Sequence, residues 1–198
     1  MGKRLSFYKI NPPYSHLKEV VFERFDDFRK WYLEYPNEIN INILKYIEND
    51  NLFKTNFDML DQQIVDEIVS CFLGLFDDSE NIFFKPFGPD VHPKKFTSST
   101  NLVLETKDTT LIGLWKILFN GRSLKDGKYF NGYNNDFKIG FLSNIECDQF
   151  KERIAKYFIN IEYVKNNFKE EEWLGIVLLL TVLNEIMGYE GELIISIG

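Results

Sequence analysis

The sequence predicts an α+β fold: a single domain over residues 1–198, with a small mixed sheet that includes the N- and C-terminal strands and about six covering helices. Three observations carry this expectation. Strand-like segments stand at both ends of the chain, Arg4 to Ile10 and Leu193 to Ile197. Between them apolar residues recur at three- and four-residue steps, the spacing that gives a helix one buried face. The chain's 198 residues, with 19 Phe, 10 Tyr and 3 Trp, suffice for one aromatic-rich core without disulfide or metal staples.

The first strand, Arg4 to Ile10, is ended by Pro12-Pro13, which cannot supply ladder N–H groups. Ser15 can cap a helix in which Leu17, Val21, Phe25, Phe28 and Tyr32 share a face, and Pro36 closes it. Ile39, Ile43 and Ile47 fit a short second helix, although Ile39, Ile41 and Ile43 also alternate as a strand would. Asp61 opens a helix with the stripe Ile64, Ile68, Phe72 and Leu75. Its polar positions include Asp66, Glu67, Asp77 and Asp78, and no Lys or Arg lies between Lys54 and Lys85, so this face is acidic.

Phe83 to Thr100 holds three prolines, one glycine and a Ser/Thr run, which predicts a long loop, with Asn101 to Glu105 extended behind it. Asp108 or Thr109 then caps a helix carrying Leu111, Leu114, Trp115 and Leu118, which Gly121 ends. A polar loop, Arg122 to Asp136, leads to a short strand, Phe137 to Leu142. Ser143-x-x-Glu146 is a capping box, in which hydroxyl and carboxylate satisfy each other's backbone donors, and Phe150, Ile154, Tyr157 and Phe158 form the apolar face behind it. Glu170 to Glu172 suit a helix N-terminus, and Trp173 to Met187 is apolar almost all round, as a central buried helix is. Gly188 ends it. The last strand, Leu193 to Ile197, is apolar on both faces and therefore interior.

The chemistry is read largely by exclusion. With 23 basic against 30 acidic residues the net charge is −7, which opposes binding to nucleic acid or to an anionic membrane. The longest apolar run, Leu174 to Leu183, is half a bilayer span. Cys71 and Cys147 have no secretory signal before them and point to a reducing cytoplasm. His16 and His92 have no partner at metal-ligand spacing, so no metal site is expected. There is no G-x-S-x-G elbow, and Gly121, Gly127, Gly132 and Gly140 fit no nucleotide fingerprint and read as turn glycines. No catalytic residue and no cofactor is expected. Met1-Gly2-x-x-x-Ser6 matches a minimal myristoylation pattern, but those residues run into the first strand. Glu185 is placed on the terminal helix's polar edge, because unpaired burial of a carboxylate is costly.

Three stretches, MGKRLSFYKINPPYS, LIGLWKILFNG with FKIGFLSNIECDQF, and WLGIVLLLTVLNEIMGYEGELIISIG, resemble the YfbM-like family of small bacterial proteins. The resemblance implies an α+β fold and a cytoplasmic bacterial or phage setting. It supplies no catalytic residues. The leading functional expectation is a non-catalytic, immunity- or inhibitor-like protein that presents its acidic surface, with Asp66, Glu67, Asp77 and Asp78, to a protein partner of basic character. The alternative is an enzyme or small-molecule binder with a pocket between loops 83–100 and 122–136, lined by His92, Lys94, Arg122 and Tyr129.

Overall fold

The computed structural model describes residues 5–10, 22–23, 25–34, 41–49, 59–61, 64, 84–122, 138–160, 166–187 and 192–197. The defined elements are β1 (Leu5–Ile10), α1 (Phe25–Glu34), α2 (Ile41–Glu48), β2 (Phe84–Val91), α3 (Lys94–Glu105), α4 (Thr109–Asn120), β3 (Lys138–Leu142), α5 (Asn144–Phe158), α6 (Glu170–Met187) and β4 (Glu192–Ile197). Helix outweighs strand. Residues 41–48 take the helical alternative, and the acidic helix expected after Asp61 lies almost wholly outside the described residues.

The strands form one sheet in the order β2-β1-β4-β3. The two ends of the chain are thus its central pair, with Leu5 opposite Ile197 and Ile10 opposite Glu192. The sheet is not mixed: β1 with β2, β1 with β4 and β3 with β4 all run antiparallel. Leu5 and Phe7 of β1 and Leu193 and Ile195 of β4 are buried, the period-two pattern of strands with a core face.

The expected loop at 83–100 is instead a strand followed by a helix, and Asn101 to Glu105 continue that helix rather than extending. Each proline lies where a missing N–H is commonly tolerated. Pro86 and Pro89 lie in β2, an edge strand whose pairing with β1 is irregular between Leu5 and Phe7. Pro93 stands at the N-cap of α3. The Ser/Thr run is accommodated because each hydroxyl donates to the carbonyl four residues back: Thr97 to Pro93 at 3.2 Å, Ser98 to Lys94 at 3.1 Å, Ser99 to Lys95 at 3.4 Å and Thr100 to Phe96 at 3.2 Å.

The helix signals around α4 and α5 are realised. The Asp108 carboxylate accepts from the Leu111 N–H at 3.0 Å, so Asp108 is the cap of α4 and not Thr109. Gly121 closes α4 at φ 66°, a left-handed value that favours glycine. The Ser143 and Glu146 capping box opens α5. Gly140 is no turn glycine. It lies inside β3, where an added Cβ would come within 2.8 Å of Ile117 Cγ2 and 3.1 Å of the Ile117 carbonyl. Glycine there lets α4 pass close against the sheet.

An aromatic chain links sheet and helices. Phe7 meets Phe96 with ring centroids 6.2 Å apart, Phe96 meets Trp115 at 6.1 Å, and Trp115 meets Phe150 at 6.4 Å, all edge-on. Trp115 is 2% exposed, and its indole N–H donates to the Thr100 hydroxyl at 3.1 Å, which satisfies the one polar atom that burial would otherwise strand. Helix α6 completes this core with Ile176, Leu179, Val182, Leu183 and Ile186, while Asn184 and Glu185 sit on its exposed edge. Cys147 is fully buried, its sulfur 3.9 Å from the Leu142 carbonyl oxygen.

Candidate functional site

Helices α3 and α6 come together unusually closely. An added Cβ on Gly175 would lie 2.6 Å from the Lys95 carbonyl oxygen, 2.8 Å from Ser99 Oγ and 2.9 Å from Phe96 Cα. The two small residues, Gly175 and the buried Ser99, permit this approach. Beside the crossing, the first turns of both helices border a cavity of about 330 Å³ lined by His92, Lys94, Lys95, Ser98, Glu171 and Leu174. Lys94 and Ser98 are one helical turn apart on α3, and Glu171 and Leu174 one turn apart on α6, so each helix contributes one face.

The polar groups around this cavity differ in how they are engaged. His92 Nδ1 accepts from the Lys94 N–H at 3.1 Å, which leaves Nε2 as the ring nitrogen that can donate. The Lys95 N–H donates to the His92 carbonyl at 3.0 Å, and the Phe96 and Thr97 N–H groups both donate to the Pro93 carbonyl at 3.0 Å. The first turn of α3 therefore uses its own backbone donors internally. On α6, the Lys169 N–H donates to Glu172 Oε2 at 2.7 Å and the Glu172 N–H to the Lys169 carbonyl at 2.9 Å. Lys94, Lys95 and Glu171 are exposed, and among the described residues none of the three forms an ion pair. Leu174 is half-buried and supplies apolar floor.

His92 and Lys94, both expected from sequence, line this cavity together. Arg122 is not among its lining residues. Its guanidinium donates to Glu146 Oε1 and Oε2, each at 2.6 Å, and to the Phe141 carbonyl oxygen. It is an architectural clamp between the end of α4, β3 and the start of α5. Tyr129, and the acidic candidates Asp66, Glu67, Asp77 and Asp78, lie outside the described residues. Sequence reasoning missed Lys95, Ser98, Glu171 and Leu174 as members of one site. The available signal was the helical spacing of Lys94 and Ser98, hidden by the prolines around them.

Two carboxylates have shifted acidity, and both are structural. The Leu111 N–H at the head of α4 holds the Asp108 carboxyl below the usual range against the opposing effect of burial, with Arg153 and the Tyr157 hydroxyl adding to it at 2.8 and 3.2 Å. Burial pushes Glu146 up, but Arg122 and the Ser143 N–H and hydroxyl outweigh it, and the net shift is downward. Neither lines the cavity. Among the described residues no group of three or more His, Cys, Asp or Glu could hold a metal ion, and no helix is long and apolar enough to cross a membrane. Comparison with protein-family models, with curated proteins and with solved structures finds no match to this chain.

Proposed function

We propose that this protein works by binding, and that the cavity at the first turns of α3 and α6 is where it takes a small organic ligand. The carrying observation is the cavity itself. About 330 Å³ is within the range of ligand pockets, and its lining combines an apolar floor at Leu174 with three charged side chains that make no ion pair among the described residues. This cleft between two helices differs from the pocket expected between loops 83–100 and 122–136, of which residues 123–136 lie outside the described residues. The scaffold around it is rigid in kind: a closely packed helix crossing and a shared core, the setting in which binding side chains are held in place. A fragment screen followed by ¹H–¹⁵N NMR tests it. Binding fragments should move the amide signals of His92, Lys94, Lys95, Ser98, Glu171 and Leu174. Fragments that bind yet move only amides elsewhere would sink the proposal.

A second reading, the non-catalytic immunity- or inhibitor-like protein with a basic protein partner, draws on the net charge of −7 and on the exposed Glu170 and Glu171 beside Glu172. It makes a different demand: a partner retained at low salt and released as salt screens the contact, with no small ligand needed. The cytoplasmic setting read from the cysteines, and the resemblance to the YfbM-like family, belong to this proposal. Neither adds a residue to the site.

A further inference from the structure

We propose, resting on the cavity as the binding site, that its ligand is an organic monoanion with an apolar body: a carboxylate head between Lys94 and Lys95 and a hydrocarbon portion over Leu174. In a chain of net charge −7, this cavity is a local exception. Two lysines share the lining with one glutamate, so its Lys and Glu side chains sum to +1, from two positive groups less one negative. The attraction is local, because salt screens exposed charges beyond about 10 Å.

The mode of binding follows from which donors are free to act. The α3 backbone N–H groups at Lys94, Lys95, Phe96 and Thr97 are all hydrogen-bonded within the first turn, so this helix end does not offer the ring of backbone donors that phosphate sites use. Recognition falls to the two lysine ammonium groups, with His92 Nε2–H as a further donor on the lining. Glu171, opposite them on α6, penalises a second negative charge. A singly charged carboxylate satisfies this arrangement better than a dianionic phosphate ester. The Ser98 hydroxyl is spent as a donor on the Lys94 carbonyl at 3.1 Å. Leu174 and the methylene stems of the lysines then present an apolar surface for the rest of the ligand.

Four matched probes separate the parts of this inference: hexanoate, hexanamide, hexylamine and hexyl phosphate, each titrated into the ¹⁵N-labelled full chain. Hexanoate should move the cavity amides and bind more tightly than the other three. The exposed pair Lys94→Ala/Lys95→Ala should weaken hexanoate by roughly threefold to tenfold. Glu171→Gln should narrow the gap between hexyl phosphate and hexanoate. Hexanamide binding the same amides as tightly as hexanoate would overturn the anion while leaving the cavity as the site. Hexyl phosphate binding more tightly than hexanoate in the unaltered protein would overturn the single charge. If no probe moved a cavity amide, both this inference and the binding site beneath it would fall.

Discussion

Arg122 shows how much one side chain can be asked to do. Its two nitrogens take both oxygens of Glu146 at 2.6 Å each, and it also reaches the Phe141 carbonyl, with the Phe141 ring 5.8 Å from the guanidinium carbon. Glu146 Oε2 accepts at the same time from the Ser143 N–H and hydroxyl, at 3.0 Å each, so one carboxylate is both helix cap and ion-pair partner. The capping box was legible because its two members are three residues apart. The arginine was not, because its partner lies 24 positions away and nothing local in the polar segment after Gly121 hints at it. That is why sequence reasoning assigned Arg122 to a pocket. The pair is partly exposed, with side chains 16% and 27% accessible, so solvent screening keeps its worth modest. Arg122→Ala should lower stability by about 1–3 kcal/mol in urea denaturation, the range for leaving a hydrogen-bond partner unsatisfied. Arg122→Lys should recover only part of the loss, since one ammonium cannot fork onto two oxygens. Ligand binding at the cavity should be unaffected by either. An Arg122→Ala protein as stable as the parent would show that the fork is ornamental.

At the scale of the element, the segment from Phe84 to Glu105 decides where the site is. Prolines and consecutive hydroxyl residues are loop signals because they usually deny the backbone its partners. Here β2 is an edge strand, Pro93 stands at a helix start, and four hydroxyls bond back along α3, so the usual penalties are reduced. Only tertiary context distinguishes the cases, and it is set by β1 pairing with β2 and by α6 packing on α3. The strand at the start of the chain, the capped helices α4 and α5, and the final helix and strand were legible because their signals are local and periodic. The cavity was not, because its two walls are contiguous in space and far apart in sequence. What joins the walls is size: Ser99 and Gly175 are small enough for the helix axes to close. Gly175→Ala places a methyl against the Lys95 carbonyl and the Phe96 backbone, atoms that cannot swing aside. It should cost about 1–3 kcal/mol, the usual range for overpacking. It should also weaken whatever binds the cavity, by displacing Lys94 and Lys95 relative to Glu171. Gly113, with nothing within 4 Å of an added Cβ, is the matched control, and Gly113→Ala should be neutral or stabilising because it sits within α4. Equal effects of the two substitutions on urea midpoint would deny the close crossing.

In the molecule as a whole, α4 and α5 form an antiparallel pair pinned at both ends. At one end Asp108, before α4, accepts from Arg153 at 2.8 Å and from the Tyr157 hydroxyl at 3.2 Å, both late in α5. Midway, Trp115 meets Phe150. At the other end Arg122, just past α4, holds Glu146 in the first turn of α5. Both pins depend on ionised carboxylates whose folded-state pKa values lie below their ordinary values of 3.8 and 4.5. The direction of the pH effect follows. As pH falls, the unfolded chain binds protons at these positions before the folded one does, so acid favours unfolding. The stabilisation is complete above about pH 5. It declines as pH drops through the ordinary carboxylate range and is lost as the lowered folded-state values are passed. Urea midpoints measured from pH 7 to pH 3 should therefore fall on the acid side. The double variant Asp108→Asn/Glu146→Gln should be less stable than the parent at pH 7 and should lose less on acidification. With 30 acidic residues in the chain many other groups titrate over the same interval, so the informative quantity is the difference between the two curves. That difference should shrink steadily below pH 5. If it stayed constant from pH 7 to pH 3, the pins would contribute by shape alone, and the acid sensitivity would have to come from carboxylates elsewhere in the chain.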